Sequence, residues 1–160
     1  MPQDPTEREE HVNERLDREL LELVNELRVA LTGVQILFAF LLTVPFTQRF
    51  AEVTEFQRHL FFATLLSAAL AVVLLIAPTA RHRLLFRQHD KEKIVVSSNR
   101  YAIAGLATLA AAMTGAVMLI TDLLFKKSMV TWVTAILAAL FVVLWFVAPA
   151  LRRVSHNRED

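Results

Sequence analysis

The chemically useful side chains in this 160-residue chain are few, and the most isolated of them is Gln35, which lies inside a long apolar stretch. Arg28, Thr32 and Ala39 recur at helical spacing with Gln35, and Asn25 extends the same helical face toward the N-terminus. A polar side chain inside a membrane is costly unless it is hydrogen-bonded, so this face is predicted to point into a helical bundle. Two interpretations stay open for Arg28, Thr32 and Gln35: interhelical hydrogen bonds, or the lining of a polar path for a solute or an ion.

Asp122 is the one acidic residue close to a membrane-embedded position. A carboxyl group inside a membrane favours its protonated form, which makes Asp122 a candidate titratable group for a proton or a cation. Lys126 follows four residues later, in the orientation that favours an ion pair at the membrane surface, and this structural interpretation is preferred. Glu26, near Arg28, allows the same two interpretations, and again the ion pair is preferred.

Several classes of site are excluded by composition. The chain has no cysteine, which excludes disulfides and thiolate chemistry, and its five histidines are not spaced to gather three or four metal ligands. We find no phosphate-binding glycine loop, no nucleophile elbow and no paired catalytic acids. The net charge of +1 offers no surplus of cations for nucleic acid. We therefore expect no enzyme activity, no cofactor, no metal and no nucleic-acid partner.

The elements that carry these residues are long apolar segments. The chain is 55% hydrophobic and 21% charged, but the charges form blocks instead of helical stripes, which argues against a soluble bundle. Since about 20 apolar residues cross a bilayer, the pattern predicts an all-α integral membrane four-helix bundle. The predicted spans are 29–50, 60–80, 101–121 and 129–151. A cytoplasmic amphipathic helix, 1–28, precedes them, and a tail, 152–160, follows.

Basic residues predict the orientation of these spans. Residues 1–28 hold four Lys or Arg, residues 81–100 hold six and residues 152–158 hold three, so 13 of the 17 fall on one side. Because Lys and Arg near span ends stay in the cytoplasm, both termini are predicted to be cytoplasmic.

The N-terminal helix is predicted to be continuous with the first span and has one apolar seam, Leu16, Leu20, Leu23 and Leu27. The seam needs a partner, either in a second copy or on residues 81–100, which we call the basic segment. Residues 1–28 carry nine acidic and four basic residues, whereas 81–100 carry six basic and two acidic.

This charge complementarity predicts an interaction on the cytoplasmic side, for which the candidate residues are Glu26, Arg81, His82 and Arg83. The open alternative is that the basic segment meets anionic lipid headgroups, at about 1 kcal/mol per cation.

The third span presents small residues at helical spacing, Ala104, Thr108, Ala111 and Gly115, which predict close packing against another span or another protomer. In the second span, Thr64 and Ser67 are predicted to hydrogen-bond into the same interior.

The two predicted hairpins resemble each other. Ala77-Pro78 is followed by Arg81, and Ala148-Pro149 by Arg152, in the same register. A duplication and a chance match in an Ala-, Leu- and Val-rich chain both remain open.

Two segments carry a family resemblance: Leu23–Phe46, LVNELRVALTGVQILFAFLLTVPF, and Ala77–Phe86, APTARHRLLF. They are similar to a family of small actinobacterial four-span proteins of unknown function, DUF6328. The most specific parts are Asn25-Glu26-Leu27-Arg28 and His82-Arg83. The resemblance implies the bacterial inner membrane, and some members carry the label of sodium–proton antiporter. An antiporter needs a carboxylate at the membrane centre, and the centres of all four spans lack one.

These features predict a non-enzymatic multi-pass membrane protein, either oligomeric or an accessory subunit of an assembly. Its partners would be the lipid bilayer and a second copy or another membrane protein. The alternative is a small ion or proton-coupled transporter or channel formed by oligomerisation. A third hypothesis is a membrane-surface sensor that uses the basic segment and His82.

Overall fold

A computed structural model of the chain describes residues 5–85, 91–125 and 127–151, apart from the side chains of 5–17, 19–20, 81–85 and 91–96. Within these residues all regular structure is helical and no strand occurs, which confirms the all-α class. The four α-helices are α1 (Pro5–Thr43), α2 (Glu55–Leu85), α3 (Lys91–Leu124) and α4 (Lys127–Val142). Two 3₁₀ turns, Val44–Phe46 and Gln48–Glu52, lie between α1 and α2, and a π-helical segment, Val143–Val147, follows α4.

Four helical stretches, two of which run on past the ends of α1 and α4, are long and apolar enough to cross a membrane, which confirms a four-span membrane protein. The stretches are Leu21–Phe46, Glu55–Ala80, Ser97–Leu124 and Lys127–Leu151. Each begins before the first residue that the sequence predicted, because the helices continue through polar and charged residues at the ends of the spans.

Helix α1 joins the acidic N-terminal segment to the first span without a break, as predicted. Its 39 residues make a helix about 58 Å long, much longer than the roughly 30 Å of a hydrocarbon core. It ends at Thr43, two residues before Pro45. A proline at this position has no N–H to donate, and its ring would clash with the carbonyl of Leu41 in a continued helix.

Within the basic segment, 81–100, the described residues 81–85 and 91–100 are helical. Helix α2 continues to Leu85 and α3 begins at Lys91, so the two spans extend into the region 81–100 from both sides. Pro78, near the end of the predicted span 60–80, is buried inside α2, which continues beyond it. Membrane helices tolerate proline because neighbouring groups satisfy the freed carbonyl. Once the helix has formed, Arg and Leu residues extend it at little cost.

Buried residues in α2 and α3 follow steps of four and three, the 3.5-residue period of helices that pack in left-handed pairs. In α2 they are Gln57, Phe61, Thr64, Ala68, Ala71, Leu75 and Pro78. In α3 they include Ser98, Ala102, Gly105, Leu109, Ala112 and Leu119. Helix α1 shows the same period more sparsely, at Leu27, Val34 and Leu41.

The chain divides into two compact units, and the first comprises Met1–Phe40 and Ala68–Thr108. Here α3 approaches α2 at Gly105, where an added Cβ would lie 2.7 Å from Leu75 Cδ2 and 3.3 Å from Leu74 Cβ. Glycine at this position therefore permits the contact. Leu27 is only 5% exposed, so this end of the leucine seam packs within the chain. The side chains of Leu16 and Leu20 lie outside the described residues.

The second unit comprises Leu41–Ser67 and Leu109–Asp160. Here too α2 and α3 are in contact, at Thr64 and Gly115. The turn before α2 is anchored by aromatic packing: the rings of Phe50 and Phe61 meet edge to face, with centroids 5.1 Å apart.

Helix α4 belongs to the second unit and buries only Val130. Its π-helical continuation, Val143–Val147, closes with Ala148 N–H donating to the Val143 carbonyl five residues back. Pro149 follows directly and cannot donate an N–H, so the wider turn accommodates the proline ring. The two Ala-Pro pairs that the proposed repeat equates therefore have different helical geometry, a regular α-helix at Pro78 and a π turn before Pro149.

Candidate functional site

The polar face of α1, defined as Asn25, Arg28, Thr32, Gln35 and Ala39, is exposed along its whole length. Within this chain the face therefore does not point into the bundle as expected, and its contact with another protomer stays a prediction. The buried face of α1 is one residue out of step with it, at Leu27, Val34 and Leu41 (exposed fractions 5%, 0% and 1%). One residue turns a helix by about 100°.

The physical reason for this orientation is apolar burial. Burial of a leucine or valine side chain stabilises the fold more than burial of a glutamine or arginine side chain, so the apolar residues occupy the core.

Within the polar face of α1, the hydroxyl and the amide differ in how they are satisfied. Thr32 Oγ1 donates to the carbonyl of Arg28 at 3.1 Å, so the hydroxyl is satisfied by its own helix. Among the described residues, no group of the chain hydrogen-bonds the side chain of Gln35. Gln35 therefore presents a free donor and a free acceptor near the middle of the candidate span Leu21–Phe46.

A second polar site lies where α2 begins and α3 ends. Gln57 Nε2 donates to Asp122 Oδ2 at 2.8 Å, which joins the two helices directly. Gln57 is 8% exposed and Asp122 is half-buried. Asp122 thus has a hydrogen-bonding partner on another helix, which sequence reasoning did not find. The ion pair predicted with Lys126 concerns a residue outside the described part of the chain.

The Gln57 side chain is held in place by the cap of α2. Its Oε1 accepts from the backbone N–H of Thr54 at 3.0 Å, and the Gln57 N–H donates to Thr54 Oγ1 at 3.3 Å. This reciprocal pair is a capping box, and it leaves Nε2 free to reach Asp122.

The cap that holds Gln57 could have been predicted from Thr54-Glu55-Phe56-Gln57, which has the spacing of a capping box, but its contact with Asp122 could not. The prediction placed the start of the second span at Leu60, so Gln57 was assigned to the preceding loop. As observed, the pair is a structural clasp between α2 and α3. Its carboxylate is engaged by a neighbouring helix.

The small-residue face of α3 is only partly used within the chain. Gly115 packs on Thr64, and an added Cβ there would lie 3.4 Å from both Thr64 Cβ and Cγ2 and closer still to the hydroxyl. Thr64 is 2% exposed, as its predicted interior position requires, and donates to the Leu60 carbonyl at 2.7 Å. Ala104 and Ala111 are exposed.

The remaining candidates are not gathered into a site. Glu26 is exposed on α1, and the side chains of Arg81, His82 and Arg83 lie outside the described residues. In the described part of the chain, no group of three or more His, Asp or Glu could hold a metal ion. Two buried hydroxyls there, Ser98 Oγ and Thr134 Oγ1, have no hydrogen-bond partner.

Residues 9–149 match the model of one protein family, a family of unknown function designated DUF6328. No curated protein and no solved structure was found to match the chain.

Proposed function

We propose that this chain, which belongs to the DUF6328 family of unknown function, works without catalysis as a subunit of a larger assembly in the bacterial inner membrane. The observation that supports this proposal is the exposed carboxamide of Gln35, near the middle of an apolar helix. Lipid tails offer it no hydrogen bond, and transfer of an unpaired amide into hydrocarbon costs about 4–8 kcal/mol. A neighbouring chain that supplies a donor and an acceptor removes this cost.

The Gln57–Asp122 clasp also supports a structural role. It uses Asp122, which lies two residues before the end of the span Ser97–Leu124, to join two helices of the same chain. A proton or cation pathway would need that group free to exchange its ligand. In the proposed assembly, α2 and α3 form the packed part of each subunit, and α1 offers the contact surface.

The test of assembly is the number of copies in a lipid environment. The protein is labelled at its N-terminus with one fluorophore, reconstituted into vesicles at low density and examined by single-molecule photobleaching. Assembly predicts multiple bleaching steps per particle at densities where a non-interacting control membrane protein gives one step. Extraction of native membranes into lipid nanodiscs would show in parallel whether other proteins accompany it. Single steps and an unaccompanied chain would contradict the proposal.

The alternative function is a small ion or proton-coupled channel or transporter formed by several copies. The observation that favours it is the same polar face, since Arg28, Thr32 and Gln35 all lie outside the core of their own chain. Flux into proteoliposomes, measured with a pH-sensitive dye under imposed sodium, potassium and proton gradients, separates the two functions. A path lined by this face predicts flux that Gln35→Leu abolishes and Gln48→Leu, the same change in the turn outside α1, leaves intact. Assembly alone predicts no flux from any of the three proteins.

A further inference from the structure

We infer that the partner of the polar face of α1 is a second copy of this chain. The two α1 helices would run parallel about a two-fold axis along the membrane normal, with the Gln35 carboxamides hydrogen-bonded to each other. This inference rests on the proposed function, because it names the partner in the assembly.

The chemistry of the carboxamide favours a copy of the same chain. In a two-fold contact each residue near the axis meets itself. Charged groups cannot satisfy themselves in this way, since two ammonium groups or two carboxylates repel. A carboxamide has two N–H donors and one carbonyl acceptor, so each Gln35 can donate to the other. Thr32 makes no competing demand, because its hydroxyl already donates to the Arg28 carbonyl.

The spacing of the face fits a parallel helix pair. Thr32, Gln35 and Ala39 are separated by three and four residues, the period of helices that cross in a left-handed pair. Thr32 and Ala39 are small and lie about one turn on either side of Gln35, so they let two backbones approach. A single polar residue in such a seam fixes the register and the number of chains.

The neighbouring face of α1 has the character of a lipid-facing surface. Val29 is 77% exposed and Ile36 is 68% exposed, and both are purely apolar. They need no protein partner in a membrane. Arg28 lies about 10 Å from Gln35 along the helix, toward the predicted cytoplasmic end. Its long side chain can reach headgroups and water there. In a dimer, this keeps the positive charges of the two Arg28 side chains apart.

Because the chain contains no cysteine, single introduced cysteines report the interface without background. Thr32→Cys and Ala39→Cys are each reconstituted in vesicles and oxidised, with Ile36→Cys as the control at the same depth. We expect disulfide-linked dimers from the first two and none from the control. Adding Gln35→Leu to Ala39→Cys should lower the association constant about 3- to 30-fold, the range reported for interhelical hydrogen bonds. Adding Gln48→Leu should leave it unchanged.

The possible failures are distinguishable. Photobleaching in multiple steps without disulfides at Thr32→Cys or Ala39→Cys would overturn the two-fold contact and leave the assembly proposal standing. Single-step bleaching would overturn the choice of a second copy as partner, and single steps together with an unaccompanied chain in nanodiscs would overturn the assembly proposal as well. Strong disulfide formation that Gln35→Leu does not reduce would overturn the role assigned to the carboxamide. A different protein that accompanies the chain in native nanodiscs, with no disulfide-linked dimer in vesicles, would overturn the choice of partner.

Discussion

At the scale of the residue, the polar groups inside the spans differ in how they are satisfied. Threonine hydroxyls bond to carbonyls of their own helix, as Thr32, Thr64 and Thr121 do. Gln57 is fully engaged, with its oxygen on the α2 cap and its nitrogen on Asp122. Among the described residues, the side chain of Gln35 has neither kind of partner. Gln35 therefore points to a partner outside the chain, whereas the threonine hydroxyls do not.

Removing the acceptor at Asp122 should weaken the link between α2 and α3. In Asp122→Ala, the buried Gln57 Nε2 loses its partner, and we expect a stability loss of about 1–3 kcal/mol. Asp122→Asn keeps an oxygen that can accept, so its loss should be clearly smaller. Unfolding by SDS titration from mild detergent micelles measures both. Equal stability of Asp122→Ala and the wild type would show that the clasp contributes nothing.

Two glycines provide a matched pair for packing. At Gly115 an added methyl group would collide with the buried Thr64, so Gly115→Ala should destabilise the fold by about 1–3 kcal/mol. At Gly33 an added Cβ meets open space, and Gly33→Ala should be neutral or stabilising by up to about 1 kcal/mol through helix propensity. The same SDS titration compares them. A destabilised Gly33→Ala would indicate a close contact on that face instead.

At the scale of the element, several contacts between described residues define the pairing of α2 with α3. In the second unit, Gly115 meets Thr64 and Asp122 meets Gln57. The two contacts are seven residues apart on both helices and run in opposite directions, so the pair is antiparallel. Seven residues are two turns at the 3.5-residue period, which explains why the same faces meet again.

This register predicts a specific disulfide. An ideal Cβ at Gly115 lies 3.4 Å from Thr64 Cβ, at the short end of the distances of about 3.5–4.5 Å found in disulfides. The double variant Thr64→Cys/Gly115→Cys should therefore oxidise within one chain. Thr64→Cys/Ala111→Cys is the control, since Ala111 is on α3 one turn away and exposed. Protease cleavage between the two helices followed by non-reducing electrophoresis detects the link, and preferential linkage of the control would refute the register.

At the scale of the whole molecule, the apolar spans identify a membrane protein and the positive charges predict its orientation. The four candidate spans and the family match are observed. The placement of both termini in the cytoplasm rests on the excess of Lys and Arg in 1–28, 81–100 and 152–158. The proposed assembly about a membrane-normal axis requires all copies to share one orientation.

Orientation can be tested with the cysteine-free chain. Gln48→Cys lies between α1 and α2 on the predicted outer side, and Asn157→Cys lies in the predicted cytoplasmic tail. A membrane-impermeant maleimide added to intact spheroplasts should label the first and reach the second only after permeabilisation. The reverse pattern would invert the topology, and equal labelling of both in intact spheroplasts would indicate mixed insertion.

The sequence was sufficient for the all-α class, the four spans and the continuity of α1, because these depend on run length and helical period along one segment. It also identified Gln35 and Asp122 as the unusual groups. It did not reveal that α1 turns Val34 inward and Gln35 outward, or that Gln57 reaches Asp122. Adjacent residues on a helix differ by about 100° in direction, and which of them is buried depends on how well each fits the neighbouring helices. A contact between residues 65 positions apart exists only once α2 and α3 have packed together.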